Sequence, residues 1–200
     1  MAQDDNMPRI IAGRAGGRPL RAPVGEQTRP TSDRVREALF SAIASWLGSS
    51  DEAVDEQLAD IAFLDLFAGS GAVGLEAASR GAAQVVLVDD HRHAADAIAK
   101  NIRETKLPAQ AIQSSVQHFL AGPTTRFDII WADPPYRFPS AALDELLTQL
   151  AANWLAPNGL VVVERAKRDT PPLWPQGASD SWERRYGETV LYFAQFDEQE

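Results

Sequence analysis

The 200-residue sequence contains no cysteine, which excludes a disulfide scaffold, a thiolate metal site and a cysteine nucleophile. No apolar run approaches the roughly 18 residues that a membrane-spanning helix needs. The first residues, Met1–Asn6, are polar and acidic, unlike a secretory signal peptide. The hydrophobic content of 44% is typical of one globular domain with a substantial core, and we expect a cytoplasmic protein.

Positive charge is also scarce over most of the chain. The net charge is −9, yet residues 8–36 carry +5 and residues 37–200 carry −12. Arginine supplies all the positive charge of this N-terminal segment, and its planar guanidinium suits contacts to phosphates and bases. We therefore expect the segment to bind nucleic acid, although a solvated arm with incidental charge would have the same composition. The candidate residues are Arg9, Arg14, Arg18, Arg21, Arg29, Arg34 and Arg36.

Apolar periodicity divides the chain into a short N-terminal part and a longer α/β part. Short apolar stretches around Gly16-Gly17 predict a β-hairpin or a pair of short strands. A helix is predicted from Thr31-Ser32, which are good N-cap residues, to Gly48. From Ile61 onward strands alternate with helices or loops, which predicts a parallel sheet covered on both faces. The predicted strands are 61–67, 84–89, 109–114, 127–132 and 159–164, with a closing antiparallel hairpin at 182–196.

A glycine-rich loop follows the first predicted strand. Gly69, Gly71 and Gly74 fit the G-x-G-x-x-G pattern of a loop that holds a cofactor at the start of a helix. Asp89 ends the next strand, where an acidic residue can accept hydrogen bonds from ribose hydroxyls. These features predict an adenosine-containing cofactor, and by themselves they fit both NAD and S-adenosylmethionine.

Two further features favour S-adenosylmethionine. Asp65 lies four residues before Gly69, where a carboxylate would repel a pyrophosphate but suit a cationic amino acid group. Asp133-Pro134-Pro135-Tyr136 follows a buried strand, and ligands bind at the carboxyl edge of such sheets. There Asp133 and the Pro134 carbonyl can accept hydrogen bonds from the exocyclic amine of a flat ring, on which Tyr136 can stack. An ordinary turn would have the same Asp-Pro-Pro sequence.

These motifs resemble those of a known family. Asp65-Leu66-Phe67-Ala68-Gly69-Ser70-Gly71 resembles the first motif of class I methyltransferases. Asp133-Pro134-Pro135-Tyr136 resembles the fourth motif of those that methylate exocyclic amines of bases. The stretches Arg9–Gly13 and Arg29–Phe40, with Tyr186-Gly187-Glu188-Thr189, are similar to one branch, the bacterial 16S ribosomal RNA guanine-N2 methyltransferase family RsmD. The similarity runs from about Pro8 to Phe196.

The resemblance implies an α/β fold, a Rossmann-like class I methyltransferase sheet of seven strands with an antiparallel C-terminal hairpin and a small N-terminal β-hairpin extension. The implied divisions are a disordered N-terminus (1–7), an RNA-binding extension (8–30) and a methyltransferase domain (31–200). The implied reaction transfers a methyl group from S-adenosylmethionine to N2 of a guanine in 16S rRNA, of the guanine-966 type. The implied substrate is a 30S subunit or an assembly intermediate, and the enzyme is expected to be a monomer.

The resemblance also assigns roles to individual residues. The implied catalytic residues are Asp133, Pro134, Pro135 and Tyr136. The implied cofactor-binding residues are Asp65, Phe67, Ala68, Gly69, Ser70, Gly71, Asp89, Asp90, Ser115 and Val116. Ser115 stands where relatives often have Asp or Asn facing the adenine, and Asp89 where many have Glu.

Other functions fit part of the sequence. An adenine-N6 methyltransferase would use the same Asp133–Tyr136 motif, and a dinucleotide-dependent oxidoreductase the same glycine loop. The chain could also be a non-catalytic RNA-binding module that has retained the fold without the activity. A metal site in Asp89-Asp90-His91-Arg92-His93 is not expected, because the two histidines diverge at a helix start and Asp89 is needed for the ribose.

Overall fold

A mixed sheet forms the centre of the computed structural model, which describes residues 7–23 and 32–197. The strands are β1 (Ala62–Leu66), β2 (Gln84–Asp89), β3 (Gln110–Gln113), β4 (Phe127–Ala132), β5 (Leu155–Ala166), β6 (Ala178–Tyr186) and β7 (Thr189–Phe196). Their order is β3-β2-β1-β4-β5-β7-β6, and β7 runs antiparallel to both of its neighbours. The strands β1 to β5 are parallel, as the alternation of strands and helices predicts.

Helices cover both faces of the sheet. They are α1 (Asp33–Leu47), α2 (Ala72–Ser79), α3 (Arg92–Thr105), α4 (Val116–Leu120) and α5 (Ser140–Gln149). Because side chains alternate along a strand, Phe63 of β1 packs in one hydrophobic cluster with α1, α2 and α3, whereas Leu64 packs in the other with α4 and α5. Among the residues that the structure describes, no helix has the length and apolarity needed to cross a membrane.

Local signals set the limits of α1 as predicted. Ser32 is the N-cap, and its side chain accepts a hydrogen bond from the N–H of Val35 at 3.3 Å. Gly48 ends the helix in the left-handed conformation that glycine adopts without strain. Thr31, the other predicted capping residue, lies outside the described residues, as do residues 1–6 of the predicted disordered N-terminus.

The described part of the N-terminal segment, residues 7–23, pairs with itself only briefly. Leu20 N–H donates to the Pro8 carbonyl at 2.7 Å, and Ile10 N–H donates to the Arg18 carbonyl at 2.9 Å. One isolated antiparallel bridge joins Arg9 to Pro19, instead of the regular hairpin strands that were predicted. The reason is that Pro8 lacks the N–H that would donate back to the Leu20 carbonyl, and a 3₁₀ turn occupies the tip at Gly13–Ala15.

This segment belongs to the same core as the sheet. Ile10, Ala15 and Leu20 are buried in the cluster that contains α1, α2 and α3. Glu76 of α2 is fully buried, and its carboxylate accepts the N–H groups of Ile11 at 2.6 Å and Ala12 at 3.1 Å. The N-terminal residues are thus fastened to the helix that begins at the glycine loop.

A glycine substitution tests this packing. Gly13 has φ +79°, and a Cβ added there would lie 2.0 Å from the Ser79 carbonyl oxygen. We expect Gly13→Ala to lower the free energy of unfolding by about 3 kcal/mol, because backbone must move as well as adopt a strained φ. Gly17→Ala is the matched control: its φ is +81°, but no atom of the described residues lies within 4 Å of the added Cβ, so about 1 kcal/mol is expected. Urea denaturation measures both, and equal losses would contradict the packing argument.

Candidate active site

The strand order reverses beside β1, and the predicted motifs meet at this point. Neighbours β4 and β2 flank β1 in parallel, so the carboxyl ends of all three lie at one edge of the sheet. The glycine loop leaves β1, Asp89 ends β2, and Asp133 follows β4. The N–H of Asp133 lies 3.4 Å from the Leu66 carbonyl oxygen, which joins the two motifs directly. Ligands of open α/β sheets bind at such a switch point.

The glycine loop has the backbone that its sequence predicts. Gly69 and Gly71 have φ of +55° and +77°, and Gly71 is the N-cap of α2. Phe67 also has a positive φ, +62°, which is unusual for a bulky side chain and marks a constrained position at the end of β1. The loop is tied to β2 because the Ala68 N–H donates to the Val88 carbonyl at 3.0 Å.

Asp65 is a buried acid beneath this loop. Its Oδ2 accepts the N–H of Gly74 at 2.8 Å, and it is only 1% exposed. Its Oδ1 has no hydrogen-bond partner among the described residues. Burial raises the pKa of this carboxyl from 3.8 to about 7, opposed by the Gly74 hydrogen bond and assisted by the charge of Asp89. A buried carboxylate oxygen without a partner is what a cationic ligand group would satisfy.

Asp89 holds the opposite side of the loop. Its Oδ2 accepts the N–H of Gly69 at 2.8 Å and its Oδ1 accepts the N–H of His91 at 2.9 Å. Asp90 is exposed, and its Oδ1 lies 2.6 Å from Nδ1 of His91. The potential ligand atoms of Asp89, Asp90 and His91 lie within 4.8 Å of one another, a grouping that exposed acidic residues commonly show without a metal ion. The two backbone hydrogen bonds already explain the placement of Asp89.

Ser115 and Val116 lie at the start of α4, beside the end of β2. Ser115 Oγ accepts the N–H of His118 at 3.2 Å, so this side chain caps α4, while Val116 is buried. The N–H of Ser114 donates to the Asp89 carbonyl at 3.0 Å, which places the start of α4 next to the predicted ribose acid. Contact of Ser115 with an adenine ring therefore stays a prediction.

The four residues of the Asp133–Tyr136 motif differ in burial. Asp133 is half-buried and Pro134 is buried, whereas Pro135 is exposed and Tyr136 is 56% exposed. A tight turn closes the loop, since the N–H of Phe138 donates to the Pro135 carbonyl at 2.7 Å. The exposed ring of Tyr136 at this edge is available for stacking.

Two aromatic contacts fix the loop to its surroundings. Phe138 packs edge-to-face against Phe67, with ring centroids 5.4 Å apart, and so joins this loop to the end of β1. The guanidinium carbon of Arg168 lies 4.1 Å from the centroid of the Tyr136 ring. Sequence reasoning missed Arg168, because nothing in its neighbourhood along the chain marks it.

The predicted RNA-binding arginines divide into exposed and buried members. Arg9 pairs with Asp33 at 3.0 Å, and Arg21 pairs with Glu104 of α3 at 2.6 Å, both at the surface. The hydrogen bond from Arg21 lowers the pKa of Glu104. Arg14 and Arg18 are exposed and donate to the carbonyls of Asp55 and Glu104. Arg34 is also exposed, and Arg29 lies outside the described residues.

The prediction that Arg36 contacts RNA is wrong. Its side chain is fully buried, and its Nη2 donates to the Arg9 carbonyl at 2.6 Å and to Asp33 at 2.8 Å. Charge clustering along the sequence suggested a surface role, but Arg36 lies on the buried face of α1. It holds the N-terminal segment in place rather than meeting a ligand.

Two buried polar residues that sequence reasoning missed connect the N-terminal segment to the site. Glu76 anchors Ile11 and Ala12, as described above. Asn101 of α3 accepts the Arg21 N–H at 2.8 Å and donates to the carbonyls of Arg21 at 3.1 Å and Ser70 at 2.9 Å. Only Glu76 gave a signal in the sequence, because it is a carboxylate within the apolar run of α2. Charged residues in such runs are usually paired, which would have indicated a buried partner.

The sequence is similar to known proteins over most of its length. A family model described as "Conserved hypothetical protein 95" matches residues 8–195. Ribosomal RNA small subunit methyltransferase D of Escherichia coli is 36% identical over 96% of this chain and 91% of its own. The protein of the same name from Haemophilus influenzae is 36% identical over 84% of this chain and 83% of its own.

Solved structures show the same fold. The Escherichia coli protein yhhF superposes with a TM-score of 0.80 and 35% identity, covering 96% of this chain and 99% of that one. The Thermus thermophilus 16S rRNA N2 G1207 methyltransferase RsmC, solved with AdoMet and guanosine, has a TM-score of 0.62. At 24% identity, over 85% of this chain and 45% of that one, it supports the fold alone. Because the family model and these relatives match most of the chain, the chain belongs to the Conserved hypothetical protein 95 family, which includes ribosomal RNA small subunit methyltransferase D.

Proposed function

We propose that this protein is an S-adenosylmethionine-dependent methyltransferase that modifies the exocyclic N2 of a guanine in 16S rRNA. One observation supports this above the others: the glycine loop with Asp65 and Asp89 lies directly beside Asp133-Pro134-Pro135-Tyr136 at the β1–β4 switch point. A cofactor site and an amine-binding motif thus share one edge. The relatives named for small-subunit rRNA methylation agree with this combination.

The residues of the cofactor edge fit S-adenosylmethionine. The Oδ1 of buried Asp65, which has no hydrogen-bond partner within residues 7–23 and 32–197, suits the cationic amino group of this cofactor. The backbone at Gly69 and Gly71 admits a ligand closely, and Asp89 stands at the end of β2 where ribose hydroxyls are bound. When bound, the cofactor supplies an electrophilic methyl group on a sulfonium whose leaving thioether is neutral.

The contribution of Asp133 and Pro134 concerns the nucleophile. The lone pair of a guanine amine is delocalised into the ring, so it attacks poorly. Two acceptors for its N–H groups, the Asp133 carboxylate and the Pro134 carbonyl, favour a pyramidal nitrogen with a directed lone pair. The carboxylate also stabilises the positive charge that develops on nitrogen in the transition state, and the methylated nitrogen then releases one proton to give the neutral amine. Tyr136 holds the base by stacking, which is worth roughly 1–3 kcal/mol per base.

The target guanine must leave its stack to reach this edge. Arg9, Arg14, Arg18, Arg21 and Arg34, exposed at the surface, are proposed to bind RNA phosphates. The protein acts in the cytoplasm as a monomer, on a 30S subunit or an assembly intermediate. Recognition of the single nucleotide is assigned to the Asp133–Tyr136 motif, since phosphate contacts carry no sequence information by themselves.

Thermal stabilisation separates the cofactor classes. A ligand that binds only the folded state raises its stability by mass action, by about 2.7 kcal/mol at 100 times its Kd. We expect S-adenosylhomocysteine to raise the melting temperature by several degrees and NADH to leave it unchanged. Stabilisation by NADH alone would contradict the proposal and favour an oxidoreductase.

A further inference from the structure

The exposed ring of Tyr136 has a cation on one of its faces. The guanidinium carbon of Arg168 lies 4.1 Å from the ring centroid, within the range of a cation–π contact. Arg168 is exposed and comes from the loop after β5, whereas Tyr136 comes from the loop after β4. This pair therefore brings two separate loops of the sheet edge into contact.

An ion pair and backbone hydrogen bonds fix the loop that carries Arg168. Asp169 forms an ion pair with buried Arg165 at 3.4 Å, and its N–H donates to the Ala166 carbonyl at 2.9 Å. The N–H of Lys167 donates to the Glu188 carbonyl in the β6–β7 turn at 2.8 Å. The Tyr186-Gly187-Glu188-Thr189 motif thus braces the segment that presents Arg168. An exposed side chain on a braced turn can hold its neighbour in a defined position.

We propose that Arg168 is a positioning residue for the target base and acts through Tyr136. The inference rests on the proposed function, since it assumes that a base stacks on Tyr136. The guanidinium packs on one face of the ring and fixes its orientation, and the base stacks on the opposite face. The planar guanidinium suits this role better than an ammonium, because it stacks on aromatic faces as well as carrying charge.

A double-mutant cycle tests the inference. Arg168→Ala and Tyr136→Ala are each expected to lower kcat/KM for the RNA substrate by about tenfold. If Arg168 acts through Tyr136, the double variant is no worse than Tyr136→Ala, because the residue on which Arg168 acts is already gone. Multiplicative losses, or no loss with Arg168→Ala, would overturn the inference. Unchanged binding of S-adenosylhomocysteine establishes that each variant is folded.

Two further variants separate stacking from charge. Arg168→Lys keeps the charge and loses the planar group, so most of the tenfold loss is expected to persist. Lys167→Ala removes a neighbouring exposed charge, and a change of less than about twofold is expected. Full recovery with Arg168→Lys, or an equal loss with Lys167→Ala, would overturn the positioning role. Absence of methyl transfer by the unmodified protein would instead contradict the proposed function itself.

Discussion

Replacement of Asp133 with alanine is expected to abolish methyl transfer while leaving cofactor binding nearly unchanged. Asp133 follows β4, whereas the cofactor residues Asp65 and Gly69 belong to β1 and the loop after it. Removal of the carboxylate leaves the amine nitrogen with only the Pro134 carbonyl as an acceptor and with its developing charge uncompensated. A loss of about 10³-fold in kcat is the expected scale, as for removal of one transition-state hydrogen-bonding group.

The measurement pairs single-turnover rates with calorimetric titration of S-adenosylhomocysteine. Asp133→Asn is the matched variant, because it keeps the shape and one acceptor oxygen but removes the charge. We expect it to retain more activity than Asp133→Ala and the same cofactor affinity. Loss of cofactor affinity in parallel with the rate would contradict this division of roles between β1 and β4.

Asp65→Asn is expected to weaken cofactor binding and yet stabilise the free protein at alkaline pH. In the folded protein burial raises the pKa of Asp65 to about 7, whereas the unfolded carboxyl titrates near 3.8. The stabilising effect of the protonated group is therefore complete below the unfolded pKa and is lost as the pH rises through the folded one. At alkaline pH the buried charge costs on the order of 4 kcal/mol, which a neutral amide avoids.

Urea denaturation of the cofactor-free protein at pH 5 and pH 8 checks the stability effect. The free energy of unfolding of Asp65→Asn is expected to exceed that of the unmodified protein at pH 8. The difference between the two is expected to be much smaller at pH 5. Affinity for S-adenosylhomocysteine should fall by about 100-fold, because the ligand's cationic group loses its buried partner. A variant that is less stable at pH 8, or that binds the cofactor normally, would contradict the proposal that the buried Asp65 carboxylate binds the cationic group of the cofactor.

Much of the fold was predictable because local signals and tertiary packing agree. The predicted limits of β2 and β4 coincide with the observed strands, since each contains a run of four apolar residues with polar residues close on both sides. The strand β6 begins at Ala178 rather than 182, because the polar residues 179–181 at a sheet edge give no apolar signal. The strand β5 begins at Leu155, four residues before the predicted start, because Pro157-Asn158-Gly159 is typical of a turn and hides the strand. The pairing of β4 with β5 shifts its register across this stretch.

The candidate site was predictable in its parts and less so in its connections. The glycine loop, Asp65, Asp89 and Asp133 are each marked by residue type beside a predicted strand. Asn101 and Arg168 act through contacts between distant segments, which spacing along one sequence cannot show. Arg36 illustrates the converse, because its charge suggested the surface while its position on α1 directs it inward.

The most direct test of the proposed function is methyl transfer from labelled S-adenosylmethionine to small ribosomal subunits that lack this modification. The product nucleoside is identified by mass after digestion of the RNA. We expect N2-methylguanosine, which would establish the chemistry, the base and the substrate class together. N6-methyladenosine, or no transfer while S-adenosylhomocysteine still stabilises the fold, would contradict the assignment of guanine in 16S rRNA as the substrate.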